Sequence, residues 1–158
     1  MARQYTAVFS GVAVTAQQDF FEILAATGKT IRVLGWVLSQ STEVADAQEE
    51  GLAIIVKRGA GAVTSGSGGS TFTPSPQDVD DSASGATVEI NNTTKMVVGS
   101  GTLTNLETHN WNVRIPYLMI YPPEMRPRIK PGDRLTIELA TTPADSVTMS
   151  GTVWFEED

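Results

Sequence analysis

The chain has 158 residues, a length that suits one domain, and its 18 acidic and 11 basic residues give a net charge of −7. This charge argues against nucleic acid as a partner, because phosphate binding relies on clustered Lys and Arg. The lack of cysteine excludes disulfides and thiolate metal sites, and no apolar run is long enough to predict a membrane span. The start of the chain has no signal-peptide pattern, so we expect synthesis in the cytoplasm.

Four strands are predicted in the first 58 residues. Gly11 marks a bulge in the first, because glycine weakens a regular strand. The second is ambiguous between a helical turn and a strand, and we favour the strand. The acidic segment 41–50 is too short and uncapped for more than one helical turn. The four strands are residues 5–14, 17–24, 30–40 and 51–58.

Large apolar side chains occur on both faces of the strand at 30–40. Strand side chains alternate, so only one face can meet the core of a two-layer β domain. Residues 111–121 repeat this pattern, with Leu118 and Ile120 opposite Trp111. Such a surface is rarely left in water, so we predict that another subunit covers it, although a loop of the same chain is the alternative. In the first strand the two faces are Ile31, Val33 and Val37, and Leu34, Trp36 and Leu38.

The composition changes sharply at residues 59–85, which are rich in Gly, Ser, Thr, Pro and Asp. A structureless stretch of this length is unusual inside a compact domain. We therefore predict either a long flexible loop or an arm that packs on a neighbouring subunit. Phe72, close to two prolines, is the side chain best placed to anchor such an arm.

The segments that follow are less regular. Short strands are predicted at 86–90 and 95–99, around a turn at residues 91–92. Residues 103–110 are predicted as a polar connector, and 111–121 as a strand that ends at two prolines. The basic stretch at 126–134 is interrupted by prolines and an aspartate, so we interpret it as a rigid, solvated loop.

Residues 134–140 and 147–155 have the clearest period-two alternation in the chain. We predict that they pair as a hairpin across a short loop. Thr136 and Glu138 are predicted to face solvent, and Trp154 falls on the polar face of the second strand. The inward-facing residues are predicted to share one core: Leu135, Ile137, Leu139, Val147, Met149, Val153 and Phe155.

Eight to ten strands with almost no helix predict an all-β fold, a jelly roll or antiparallel β-sandwich. We expect a single domain over residues 1–158, with 59–85 as a long loop or arm within it.

No catalytic, cofactor or metal site is predicted, and we expect a protein that is not an enzyme. A zinc site needs three or four ligands, whereas His109 is the only histidine and is interpreted as a surface residue. The serines around Ser67 lack the strained elbow of a serine nucleophile. Asp78, Asp80 and Asp81 lack the glycine and the distal glutamate of a calcium loop, which favours an exposed acidic loop.

Four features follow one another along the chain and together define its layout. They are an N-terminal strand, a turn at Gly28 leading into IRVLGW at 31–36, the 59–85 segment, and RPRIKPGDRL at 126–135 leading into 147–156. This layout covers most of the chain and resembles the small jelly-roll decoration, or cement, proteins of tailed bacteriophage capsids. The resemblance implies a non-enzymatic virion structural protein on the capsid exterior, made in the host cytoplasm. It also implies a homotrimer that binds the major capsid protein and resists expansion of the shell.

Aromatic residues are enriched at protein interfaces, so we predict that the two-faced strands and nearby aromatic residues form contacts with a partner. A carbohydrate-binding β-sandwich module, on a phage fibre or lectin-like, is the alternative, and it would use the tryptophans as platforms for sugar stacking. The predicted interface residues are Leu34, Trp36, Leu38, Phe72, Trp111 and Trp154.

Overall fold

The computed structural model describes residues 2–42 and 50–158 and contains two antiparallel six-stranded sheets, which confirms the predicted all-β sandwich. Most of the acidic segment 41–50 lies outside the described residues. Pro123–Met125 forms a short 3-10 helix. Sheet 1 contains β1 (Arg3–Val14), β3 (Ile31–Gln40), β6 (Ser75–Pro76), β9 (Tyr117–Ile120), β10 (Arg128–Ile129) and β12 (Val147–Glu157). Sheet 2 contains β2 (Gln18–Leu24), β4 (Gly51–Ala60), β5 (Ser70–Phe72), β7 (Thr87–Asn92), β8 (Thr102–Asn112) and β11 (Arg134–Leu139).

The strand pairs are nested, as in one long hairpin that has been rolled up. The innermost pair, β4 with β8, lies in sheet 2, and the next, β3 with β9 and β10, lies in sheet 1. The pair β2 with β11 is again in sheet 2, and the outermost pair, β1 with β12, is in sheet 1. This alternation is the topology of a jelly roll. The strands β5, β6 and β7 are inserted at the tip, between β4 and β8.

The core lies between the two sheets and includes every residue predicted for it from the last two strands. Leu135, Ile137, Val153 and Phe155, with the rest of that set, are 0% exposed. The predicted hairpin is wrong, because β11 belongs to sheet 2 and β12 to sheet 1. The two strands face each other across the core, and the alternation is the same whether two strands are neighbours in one sheet or lie in facing sheets.

A β-bulge explains the apparent two-faced pattern of β3. Phe155 pairs with Val33 and Trp154 pairs with Gly35, so Leu34 is the extra residue. The bulge reverses the alternation, and Trp36 therefore points into the core, as Val33 does. The bulge predicted at Gly11 is confirmed by a register shift in β1 and by its φ of 64°.

The segment 59–85 is built into the sandwich, so the first of the two predicted alternatives, a flexible loop, does not describe most of its length. It continues β4, adds β5 beside β7 at the edge of sheet 2, and adds β6 beside β1 at the edge of sheet 1. Between β4 and β5, two isolated bridges join the segment to residues 94 and 97. Those bridges replace the strand predicted at 95–99.

The predicted connector at 103–110 and strand at 111–121 are also corrected. Strand β8 runs through the supposed connector to Asn112, because its polar side chains belong to an edge strand. The chain then turns and crosses to sheet 1, where β9 begins at Tyr117. Trp111 and Leu118 therefore lie in different sheets.

Candidate interaction surface

The outer face of sheet 1 carries a group of apolar side chains that its own chain leaves partly open to water. Two rows of paired residues cross the sheet: Ile120, Gly35, Trp154 and Thr6, and beside them Leu118, Val37, Thr152 and Val8. Neither row contains a charged residue. We call Val8, Leu34, Val37, Leu118, Ile120 and Trp154 the apolar face.

The exposure of this face is unusual for residues of this type. Leu118 and Ile120 are each 59% exposed, and Val8 is 40% exposed, whereas Leu34, Val37 and Trp154 are half-buried. Contiguous apolar surface rimmed by polar groups is typical of interaction sites. The lack of charge at its centre is also typical of protein interfaces.

Two local features shape the face. The bulge at Leu34 places this side chain and Gly35 on the same, outer side of β3. A Cβ atom at position 35 would lie 2.5 Å from the Met119 carbonyl oxygen and 2.8 Å from Ile120 Cδ1. Glycine at this position therefore allows β9 and its Ile120 side chain to pack closely against β3.

A groove of about 210 Å³ lies on this face. Leu34, Ile120 and Trp154 contribute its apolar surface, while Gln4 and Arg126 are among the polar residues around it. The guanidinium of Arg126 lies 3.5 Å from a carboxylate oxygen of Glu156. The groove therefore combines an apolar surface with polar edges, as small binding depressions on proteins commonly do.

The structure places two of the six predicted interface residues, Leu34 and Trp154, on the apolar face. Trp36, Leu38 and Trp111 are at most 1% exposed and pack in the core, so they offer no surface to a partner. Phe72 is half-buried, and its pairing with Val88 places it at the edge of the core. Leu118 and Ile120 are the most exposed side chains of the apolar face. The signal for them in the sequence was their position on the strand face opposite Trp111.

His109, which the sequence predicts at the surface, is half-buried, and both of its ring nitrogens have partners. Its Nε2 lies 2.9 Å from a Glu107 carboxylate oxygen, and its Nδ1 lies 2.9 Å from the Tyr117 hydroxyl. The Tyr121 hydroxyl donates to Glu107 at 2.8 Å and accepts a hydrogen bond of 3.0 Å from Trp36 Nε1. We call these five residues the sheet-edge network, because it joins β8 of sheet 2 to the β3–β9 side of sheet 1.

In the sheet-edge network, the polar side-chain groups form hydrogen bonds with one another. Burial raises the pKa of Tyr121 well above its ordinary value, which keeps the phenol protonated as a donor to Glu107. A neutral His109 that carries its proton on Nε2 donates to Glu107 and accepts from Tyr117. The arrangement therefore serves to close the open edge of the sandwich between β8 and β9.

The outer face of sheet 2 carries a buried layer of acidic residues. One of them is Glu138, which the sequence alternation predicts to be exposed to solvent. This carboxylate is paired with Lys57 and lies 3.0 Å from Lys95 Nζ. Glu22 accepts hydrogen bonds from Ser65 Oγ at 2.7 Å and from the Gly66 N–H at 2.8 Å. The inserted segments thus cover this face of the sheet and supply partners for its charges.

Asp19 is the least compensated carboxylate of this layer. It is 1% exposed, Oδ2 accepts a hydrogen bond of 2.7 Å from the Met96 N–H, and Oδ1 has no partner among the described residues. Burial, with smaller contributions from the charges of Glu138 and Glu22, raises the pKa of Asp19 from 3.8 to about 7. The site is therefore a proton-binding position near neutral pH.

Three basic residues line a separate pocket of about 240 Å³: Arg58 on β4, Arg128 on β10, and Lys130. Ala60 and Asp133 complete its lining. We call this the basic pocket. The sequence predicts a solvated loop at 126–134 and no role for Arg58, because these residues come together only when the two sheets pack.

Over residues 2–42 and 50–158, no cluster of three or more His, Cys, Asp and Glu residues has an arrangement that would hold a metal ion. The same residues contain no helix that is long and apolar enough to cross a membrane.

No protein-family model matches the chain, and no curated protein matches it. Among solved structures, it is weakly similar to a chain of the T13 IBDV viral particle, from a crystal structure whose stated finding is a missing link in the evolution of icosahedral viruses. The identity is 16%, the alignment covers 98% of this chain and 39% of that chain, and the TM-score is 0.15. A likeness this weak does not carry an argument about function.

Proposed function

We propose that this protein is a non-enzymatic structural component of a virion, a jelly-roll decoration protein that self-associates and binds the exterior of a capsid. The apolar face is the observation that carries this proposal. Copies of the same chain are the partner proposed to cover it, in a homotrimer. The trimer in turn binds the major capsid protein and stabilises the shell.

The fold and the surface support this assignment together. A jelly roll presents a broad, rigid sheet face whose position is fixed by pairing along every strand. On sheet 1 the centre of this face is uncharged, and its most exposed side chains are Leu118 and Ile120. In a chain with a net charge of −7, an uncharged apolar area that no described loop covers favours contact with protein.

The carbohydrate-binding alternative is weaker after the tryptophans are located. Sugar stacking needs exposed aromatic faces, but Trp36 and Trp111 are 0% and 1% exposed. Trp154 is half-buried, and the two tyrosines that line the groove beside it, Tyr5 and Tyr121, are only 1% and 4% exposed. The aromatic platform on which the alternative depended is therefore not assembled.

Light scattering coupled to size-exclusion chromatography tests self-association. We expect a trimer of the 16.9 kDa chain at micromolar concentration. Replacing Leu118 and Ile120 by Glu should yield a folded monomer, because both side chains point away from the core. Val98→Glu is the matched control, since Val98 is 51% exposed but lies on the other side of the sandwich. A wild-type protein that remains monomeric at micromolar concentration would end the proposal of self-association.

Binding to the shell is tested separately. Heads of the virus that encodes this chain, prepared without the protein, are mixed with wild-type or doubly substituted protein and sedimented. The wild-type protein should co-sediment in a fixed ratio to the capsid subunits and raise the temperature at which the heads disrupt. If the wild-type trimer leaves the heads unoccupied, decoration is wrong even if self-association is right.

A further inference from the structure

The basic pocket collects cations that the chain itself leaves unpaired. Within residues 2–42 and 50–158, ion pairs with carboxylates engage at least seven of the eleven Lys and Arg residues. Within the same residues, the side chains of Arg58, Arg128 and Lys130 form no ion pair or hydrogen bond, and all three line the same pocket. Concentration of free cations in one pocket of an acidic protein favours an acidic ligand.

An exposed acidic loop, residues 77–81, offers the complementary charges. It follows β6, and its backbone is fixed by hydrogen bonds from the Asp80 and Asp81 N–H groups to Asp78. Asp81 is also paired with Arg3 at 3.3 Å. Asp78 and Asp80 are exposed, and Val79 between them is 91% exposed. The loop is thus a formed projection that carries two exposed carboxylates, Asp78 and Asp80, which form no ion pair among the described residues.

The pocket and the loop lie at opposite edges of sheet 1 and on one row of paired residues. Arg128 pairs with Arg32, Arg32 with Glu156, and Glu156 with Gln4. The Gln77 N–H then donates to the Gln4 carbonyl at 2.8 Å. Four steps of strand spacing separate the two ends of this row by roughly 19 Å, so one chain cannot bring its own loop to its own pocket.

We propose that the basic pocket of one copy receives the acidic loop of a second copy, so that subunits join head to tail at the opposite edges of sheet 1. This inference rests on the proposed self-association and specifies its contact. Arg128 and Lys130 then pair with Asp78 and Asp80 of the next copy. Because the two surfaces differ, each copy uses both, and such contacts build a ring when the rotation between subunits closes.

The width of the sheet favours three copies. Three sheets joined at their edges enclose a triangular prism with the apolar faces turned inward. For a width of roughly 19 Å, each face would lie roughly 5.5 Å from the axis, which is close to half of the roughly 10 Å between packed sheets. With four copies, each face would lie roughly 9.5 Å from the axis, and the side chains of the four faces would not fill the space between them. The same arrangement therefore buries the apolar face and neutralises the edges.

Charge reversal tests the contact. One variant carries Asp78→Lys and Asp80→Lys, a second carries Arg128→Glu and Lys130→Glu, and a third carries all four changes. Each double variant should raise the dissociation constant of the oligomer by about tenfold or more, and the fourfold variant should recover most of this loss, because its charges are complementary again. Asp145→Lys, an exposed substitution away from both edges, is the control and should leave assembly unchanged.

The outcomes separate this contact from the proposed function. A wild-type trimer that all variants preserve would rule out the head-to-tail contact and leave the apolar face as the basis of assembly. Loss of assembly in the double variants without recovery in the fourfold variant would also overturn the pairing. Thermal melts of the isolated variants show whether each is folded, and assembly weakened by rising salt is expected only if the charges meet.

Discussion

The backbone N–H of Met96 donates a hydrogen bond of 2.7 Å to Oδ2 of Asp19, and this bond ties the inserted segment 93–101 to the outer face of sheet 2. Asp19 lies in a layer that also contains Glu22 and Glu138, with Lys57 and Lys95 as the facing cations. The other Asp19 oxygen has no partner among the described residues. Ionisation of this group therefore adds a charge that its surroundings compensate poorly.

Stability should decrease as pH rises toward neutrality because of Asp19. Its pKa is about 7 in the folded protein, against an ordinary value of 3.8. Between these values the folded state holds a proton that the unfolded state has lost, so this contribution is complete below about pH 3.8 and disappears as pH passes 7. Asp19→Asn should therefore raise the melting temperature at pH 8.5 and change it little at pH 4. The effect of the substitution on the free energy of unfolding should differ between these two pH values by an amount on the order of 4 kcal/mol. The exposed Asp145→Asn serves as the control, and the same pH dependence in wild type and Asp19→Asn would disprove the assignment.

Gly69 should be intolerant of a side chain although it lies in a sequence that resembles a flexible linker. A Cβ atom there would lie 2.2 Å from the Ile90 carbonyl oxygen and 2.7 Å from Asn92 Oδ1. Gly69→Ala should lower the free energy of unfolding by about 1–3 kcal/mol, because the insertion must move away from β7. Gly51→Ala is the control, since a Cβ at Gly51 meets nothing within 4 Å. Equal urea midpoints for the two variants would mean that the insertion is not packed as described.

Tyr121→Phe should weaken the sheet-edge network. The substitution removes the acceptor of the buried Trp36 Nε1 and a donor to Glu107. The expected loss is about 1–3 kcal/mol of unfolding free energy, because a buried donor is left without a partner. Tyr5→Phe removes one hydrogen bond to a half-buried carbonyl and should cost less. Chemical denaturation measures the unfolding free energy of both variants. A smaller loss for Tyr121→Phe than for Tyr5→Phe would mean that the network does not hold the two sheets together.

Within residues 59–85, proteolysis should occur at the acidic loop and not at the glycine-rich stretch. Elastase cleaves after small aliphatic residues, and the segment offers both Val63 and Val79. Val63 is 7% exposed and next to a bridged residue, whereas Val79 is 91% exposed at a projecting turn. Mass spectrometry of brief digests should find cleavage after Val79 first, because cleavage requires an accessible and deformable backbone. Earlier cleavage after Val63 would contradict the ordered insertion. In the trimer, the proposed edge contact should slow the cut at Val79.

Local alternation was sufficient to predict most strands and the inward residues of β11 and β12. The same alternation predicted that Thr136 and Glu138 face water, yet they are 0% and 2% exposed. The period of a strand identifies two faces, but it does not reveal that an insertion covers the second one. The Gly- and Ser-rich segment likewise resembles a linker in sequence, because the strands that it pairs with are distant along the chain.

The interface prediction depended on a strand pattern that the fold reinterprets. A one-residue bulge at Leu34 reverses the faces of β3, so Trp36 belongs to the core and Leu34 to the surface. Residues 111–121 are divided between the two sheets, which leaves Leu118 and Ile120 exposed on one of them. The sequence by itself determined an all-β chain with more apolar residues than one strand face can bury. Only the tertiary structure decided where that excess lies, because bulges and sheet crossings depend on contacts between residues that are far apart along the chain.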